Sequence, residues 1–354
     1  MKGKILIVEL WGLGDLTFST PFIREASKKY EVHILGKPYA KELLHPSYPA
    51  VEFTFFEAPW TAFAGKYNFW KWKWRDILKM IRKLRSQNFD LAISIRKDPR
   101  DHLLMWLLGA KRRYGFSRLL SGIFLTDPLM SRVAIQHKVD DWRDFGRQIG
   151  LEKMDDIGPS LRHEGYRSYR VERVLEKINK PILCLHTGAR MPLRRWPVEY
   201  FMAIVRRLRE RYDFHLMLIP DPDGYGEELL ELSNSMLRNL TVRELVFVLG
   251  SSDLVLCNDS GPAHIAAECK RPVISVFGPG DPVWFRPWGE HNKIIIRDIC
   301  PKRPCFDYCK FPEPYCLTRL LPEQVWPEIE EHIDDLVRRR VVRLKAIEPA
   351  QQNL

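Results

Sequence analysis

Short apolar runs alternate with stretches of helical period along both halves of the chain. KILIVEL, EVHILG and DLAISI read as strands in the first half, with TPFIREASKKY and ILKMIRKLRSQ as helices. In the second half PILCLH, FHLMLI, DLVLC and PVISVFG read as strands, and PVEYFMAIVRRLRERY and EELLELSNSM as helices. Strands separated by helices predict parallel sheets covered on both faces, a doubly wound α/β architecture. At 354 residues the chain fits two Rossmann-like domains of about 150 residues each better than one core. The charged stretch from Leu151 to Lys180 has no strong apolar run and marks the division, giving domains over 1–165 and 166–335. Residues 336–354 form a tail whose basic stretch VRRRVVRLK is expected to return to the first domain.

Ligands of open α/β sheets bind where strands end and helices begin, so those junctions carry the candidate chemistry. DLVLC runs into NDSGPAHIAA, which places Asp259, Ser260, Gly261 and His264 at the start of a helix whose free N–H groups suit a phosphate. PILCLH runs into Thr187, Gly188 and a loop carrying Arg190, Arg194 and Arg195, whose guanidinium forks match phosphate oxygens or simply face solvent. KILIVEL runs into WGLGDL, where Asp15 sits at a helix start as a candidate general base or as a helix cap. This turn is no dinucleotide fingerprint. Thr17 stands where a small residue is needed, and the second strand ends in Gly36 and Lys37 without a ribose-binding acid.

Weaker signals follow. Asp221 and Asp223 lie between prolines and a glycine, which makes a turn the better reading than a metal pair. Glu227 and Glu228 open the next helix, as ribose acceptors or as ordinary first-turn acids. Cys300, Cys305, Cys309 and Cys316 cluster in CPKRPCFDYCKFPEPYC at spacings that match no standard zinc pair, so metal and plain thiol readings both stand. Cys184, Cys257 and Cys269 read as core.

Charge changes the picture of the first half. Between Lys66 and Arg118 fifteen Lys or Arg face four Asp, a surplus equal to the whole chain's +11. A basic face of this size points to nucleic acid, an anionic bilayer or a phosphorylated substrate, or to a solvated surface with no partner. Within it, Trp70, Trp74, Ile77 or Leu78, Ile81 and Leu84 follow helical spacing, so part of this stripe reads as core, whereas Trp72 between Lys71 and Lys73 suits a bilayer interface. No segment reaches the roughly 20 apolar residues of a membrane span, and MKGKILIVEL lacks a signal-peptide pattern, so a cytoplasmic setting is expected.

GLGD after the first strand, RRWP after the first strand of the second half, and NDSGPAH followed by FGPGDP together resemble the ADP-heptose:lipopolysaccharide heptosyltransferases of glycosyltransferase family 9, heptosyltransferase II-like. The resemblance implies a GT-B fold, two Rossmann-like domains facing across a cleft, the first holding the acceptor and the second the nucleotide sugar. It implies inverting transfer of heptose from ADP-heptose to the lipopolysaccharide inner core, with Asp15 deprotonating the acceptor hydroxyl. Thr187, Gly188, Arg194, Arg195, Glu227 or Glu228, Asp259, Ser260, Gly261 and His264 would hold the donor, Arg194 standing where the family usually has lysine. Gly14, Arg96, Lys111, Arg112, Arg113 and Arg118 would serve a phosphorylated acceptor at the cytoplasmic face of the inner membrane. No cofactor, catalytic metal or nucleic acid is expected. Family members with another nucleotide sugar or a protein acceptor share these motifs, and a non-catalytic nucleotide- or nucleic-acid-binding protein is the alternative of another class.

Overall fold

The alternating pattern resolves into two parallel sheets. The computed structural model describes residues 2–61, 68–129 and 136–347, and the chain divides into units over 1–159 and 160–354. In the first unit β1 (Gly3–Glu9) leads through α1 (Leu13–Phe18) and α2 (Thr20–Lys29) to β2 (Tyr30–Gly36), α3 (Tyr39–Leu44) and β3 (Glu52–Phe55). There follow α4 (Trp74–Arg85), β4 (Leu91–Ser94), α5 (Pro99–Leu107), β5 (Arg112–Phe116), β6 (Asp127–Leu129) and α6 (Lys138–Gln148). The strand order is β3-β2-β1-β4-β5-β6, every pair parallel.

The second unit repeats the plan. It runs α7 (Tyr169–Leu175), β7 (Ile182–His186), α8 (Val198–Arg211), β8 (Tyr212–Asp213), β9 (His215–Ile219), β10 (Ser235–Met236), α9 (Val242–Ser251) and β11 (Leu254–Asn258). Then come α10 (Gly261–Glu268), β12 (Val273–Val276), α11 (Pro282–Phe285), β13 (Lys293–Ile295), α12 (Tyr315–Thr318), α13 (Pro322–Arg338) and β14 (Lys345–Ala346). Its main sheet is ordered β10-β9-β7-β11-β12-β13. In both sheets the order reverses beside the first strand, between β1 and β4 and between β7 and β11, which opens a crevice at the strands' C-terminal ends.

Each unit has its own core. In the first, Leu6, Val8 and Ala92 of the sheet pack against Ile77, Met80 and Leu84 of α4 and Leu104 and Met105 of α5. In the second, Leu183, Leu185, Leu216 and Leu256 pack against Phe201, Ile204, Val325 and Ile329. Continuous apolar strands were legible because parallel strands are buried on both faces.

Three expectations change. EELLELSNSM is not an α-helix. Glu227–Leu232 is a 3₁₀ turn and Ser235–Met236 pairs with β9, while the Asn234 side chain accepts the Leu216 N–H at 2.8 Å. The tryptophan stripe divides, since Ile77 and Leu84 are core as expected but α4 begins only at Trp74. Trp70 is 95% exposed, and Trp72 packs between Trp60 and Trp74 at ring distances of 5.6 and 5.3 Å; Lys66 lies outside the described residues. The tail expected to return to the first domain is held by the second unit through Ile347. There β14 pairs antiparallel with β8, Leu344 is buried, and Arg343 grips Asp253 at 2.6 and 3.0 Å. Residues 348–354 lie outside the described residues.

Candidate active site

The first crevice is built by residues leaving β1 and β4. GLGD is itself helical, so Asp15 stands in the first turn of α1 rather than in a loop before a helix. Its Oδ2 accepts the Gly12 N–H at 3.2 Å and its Oδ1 accepts Arg96 Nη1 at 3.1 Å. A Cβ at position 12 would lie 2.8 Å from Asp15 Oδ2, so glycine there leaves the carboxylate its place. Arg96, just beyond β4, lies over the Trp11 ring at 4.4 Å, so stacking and ion pairing fix the guanidinium together. The Trp11 and Trp60 indoles donate to Asp101 at 3.4 and 3.2 Å, and Ser94 Oγ donates to it at 3.3 Å.

Two further carboxyls stand in this crevice with raised pKa values. Burial, reinforced by the charge of Asp15, lifts Glu9 to about 8, while the Trp11 N–H donates to it at 3.2 Å. Burial and the charge of Asp98 lift Asp101 to about 7 against the pull of its indole donors. At neutral pH Glu9 is therefore mostly a neutral acid, which limits the negative charge packed beside Asp15. Sequence reasoning did not single out Glu9 or Asp101; an acid inside the apolar run KILIVEL is the signal that would have found the first.

Of the residues expected on the acceptor side, Gly14 and Arg96 belong to this crevice. Lys111 and Arg112 do not, because they stand at the N-terminal end of β5, the opposite edge of a parallel sheet. There they pair with Asp90 and Asp127, each at 2.7 Å. Arg113 is spent on the Phe124 and Ala110 carbonyls, each at 2.7 Å. Arg118 lies past the C-terminal end of β5 and is exposed.

The second crevice is tied together by Asn258, a fully buried amide that sequence reasoning passed over. Its Oδ1 accepts the Trp196 N–H at 3.0 Å and its Nδ2 donates to the Thr187 carbonyl at 2.6 Å, which clamps the arginine loop to β11. Thr187 Oγ1 donates to the Tyr225 carbonyl at 3.1 Å, and Gly188 lies against Asp221. Next along, Asp259 is buried, which pushes its carboxyl up to about 6 although Arg194 pulls it down. Arg194 reaches Asp259 at 3.5 Å and Asp307 at 3.0 Å. Ser260 caps α10, and its Oγ is buried without a hydrogen-bond partner among the described residues. Gly261 opens α10 and His264 is buried one turn in. Gly280 of FGPGDP fits against Asp259 only because it lacks a Cβ, which would lie 2.3 Å from Oδ2.

The two adjacent arginines separate here. Arg195 is spoken for by Asp221 at 3.0 Å, Asp223 at 2.7 Å and the Ala189 carbonyl at 3.2 Å, and stacks on Tyr225. The Asp221–Asp223 pair thus holds an arginine, in keeping with the turn reading. Glu227 is paired with Arg238 at 2.7 and 2.9 Å, and Glu228 is exposed beside it. All four late cysteines are free; neighbouring thiolates add to the burial that raises Cys305 and, to about 11, Cys316. Among the described residues no group of three or more His, Cys, Asp or Glu is arranged to hold a metal ion.

The family model described as glycosyltransferase family 9 (heptosyltransferase) matches residues 77–315. Lipopolysaccharide heptosyltransferase 2 of Escherichia coli K12 is 24% identical over 239 residues, 62% of this chain and 68% of that protein. Lipooligosaccharide heptosyltransferase 2 of Campylobacter jejuni is 27% identical over 171 residues, 44% of this chain and about half (52%) of that protein's length. The solved structure of E. coli ADP-heptose lps heptosyltransferase II superposes with a TM-score of 0.72 at 19% identity, covering 95% of this chain and 99% of that one. Two doubly wound units of this kind make up the GT-B fold that the sequence resemblance implied. With a family model covering well over half of its length, the chain belongs to glycosyltransferase family 9 (heptosyltransferase).

Proposed function

We propose that the protein is an inverting glycosyltransferase that moves heptose from ADP-heptose to the phosphorylated inner core of a lipopolysaccharide acceptor. The reading rests above all on Asp15, a part-exposed carboxylate at the switch point of the first sheet, oriented by the Gly12 N–H and Arg96. Asp15 takes the proton of an acceptor hydroxyl as that oxygen bonds to the anomeric carbon from the face opposite ADP. The bond between the anomeric carbon and the β-phosphate oxygen breaks, its electron pair leaves with ADP, and the configuration inverts without a covalent intermediate. Arg194, the α10 N-terminus at Ser260 and Gly261, and His264 meet the pyrophosphate, where charge develops as ADP departs. Arg96 and Arg118 are the acceptor-side cations on the Asp15 edge, and no catalytic metal takes part. Among the described residues no helix is long and apolar enough to cross a membrane; we read the protein as peripheral, working at the cytoplasmic face of the inner membrane.

Asp15→Asn tests the base role. Turnover with ADP-heptose and a heptose-acceptor core is expected to fall at least about a thousandfold, within the range seen for loss of a catalytic group, while ADP affinity stays within twofold of wild type, about 0.4 kcal/mol. Unchanged turnover rules out the role, and preference for another nucleotide sugar in a donor titration rules out the heptose reading.

A further inference from the structure

The first unit carries an apolar protrusion that the transfer chemistry does not use. Leu119, Leu120 and Ile123 are 79, 87 and 76% exposed, in the connection between β5 and β6. Leu119 and Leu120 have φ of 49° and 61°, a left-handed conformation that side-chain-bearing residues adopt at a cost and keep only where the surroundings enforce it. The enforcement is visible. Ser121 Oγ accepts the Arg118 N–H at 3.1 Å and bonds the buried His102 ring at 2.8 Å, and Arg113 holds the Phe124 carbonyl at 2.7 Å. Half-exposed Trp106 of α5 packs on Phe124 at 6.0 Å and extends the apolar surface. Scattered exposed leucines need no explanation, but a braced cluster of them does.

The charge on the same face of the sheet selects the occupant. α4 covers the same face of the sheet as α5, since both feed one core, and Arg85 at its end donates to the Leu107 carbonyl at 3.4 Å. Its solvent side shows Arg75, Lys79, Arg82, Lys83 and Arg85 against Asp76 alone. Arg75, Lys79, Arg82 and Lys83 are exposed, and Trp74 and Leu78 are exposed between them. A second copy would bring like charges together here, and nucleic acid offers nothing to aliphatic tips. Anionic headgroups over hydrocarbon match both parts.

We propose that Leu119, Leu120 and Ile123 form a wedge that inserts into an anionic phospholipid monolayer while Arg75 and Lys79, in the first half of α4, lie on its headgroups. The wedge leaves β5 at the C-terminal edge of the sheet, the edge that carries Asp15 and the start of α4, so insertion turns the acceptor crevice toward the bilayer. This deepens the proposed function, whose acceptor is a membrane lipid.

The full chain is sedimented with vesicles of phosphatidylethanolamine, with and without phosphatidylglycerol and free of lipopolysaccharide. Binding is expected only with phosphatidylglycerol. It should fall at least about tenfold in Leu119→Ser/Leu120→Ser/Ile123→Ser, and by about fivefold per charge removed in Arg75→Gln/Lys79→Gln. Both variants should keep wild-type melting and ADP binding, and wild-type turnover on a delipidated core oligosaccharide. Equal vesicle binding by wild type and the wedge variant, no binding by wild type, or a wild-type dimer or acidic-protein complex dissolved by the wedge variant overturns the proposal. Absence of turnover on the oligosaccharide by wild type counts against the transferase reading alone, because vesicle binding is scored without acceptor.

Discussion

Asp15, Glu9 and Arg96 show how one residue's surroundings set another's chemistry. Glu9 carries a proton in the folded chain up to about pH 8, whereas its ordinary value is 4.5. Between those values the folded state binds more protons than the unfolded one, so any stability tied to Glu9 is intact below about 4.5 and is lost as pH rises toward 8. Glu9→Gln keeps a neutral side chain of the same shape, so the alkaline loss should shrink by about 1–3 kcal/mol, as a shift of this size allows. Urea unfolding at mildly acidic and mildly alkaline pH measures it; identical slopes for wild type and variant contradict the account. Other features of the site could not be read from order alone. Arg194 and Arg195 are neighbours in the chain, and what separates them is Asp221 and Asp223, which occupy Arg195 from a different loop. Asp307, the partner of Arg194, gave no sequence signal because it comes from the cysteine-rich loop, far along the chain.

Among the elements, long apolar strands and amphipathic helices were legible, and edges were not. β3, β6, β10 and β13 are two to four residues long, too short for a period to show, and β5 opens with two arginines. Missing β5 is what left Lys111 and Arg112 as acceptor candidates, since which end of a strand they occupied was unknown. α9 had a signal that apolar pattern alone does not use. Thr241 and Glu244 form a capping box, Thr241 Oγ1 accepting the Glu244 N–H at 3.2 Å and Glu244 Oε2 accepting the Thr241 N–H at 3.0 Å. Thr241→Ala should cost the second unit about 1 kcal/mol, read as a lower midpoint in its unfolding with ADP binding unchanged. A variant as stable as wild type would mean that packing alone fixes the start of α9.

At the scale of the molecule, the proposed transfer is shared between two doubly wound units with separate cores. The surplus of basic charge lies in the first unit and the arginine loop and α10 in the second, so donor and acceptor roles are assigned to different cooperative blocks. That division has a thermodynamic consequence. A ligand that binds only the folded second unit raises that unit's stability by about 2.7 kcal/mol at a hundredfold excess over its dissociation constant. Calorimetry of the full chain should therefore resolve a transition that saturating ADP moves upward and that Arg194→Ala with Asp259→Asn leaves unmoved by ADP. Asp15→Asn, in the first unit, should retain the full ADP shift. If the shift survives loss of Arg194 and Asp259 but disappears with Asp15, ADP binds the first unit and the division of roles is the reverse of the one assigned.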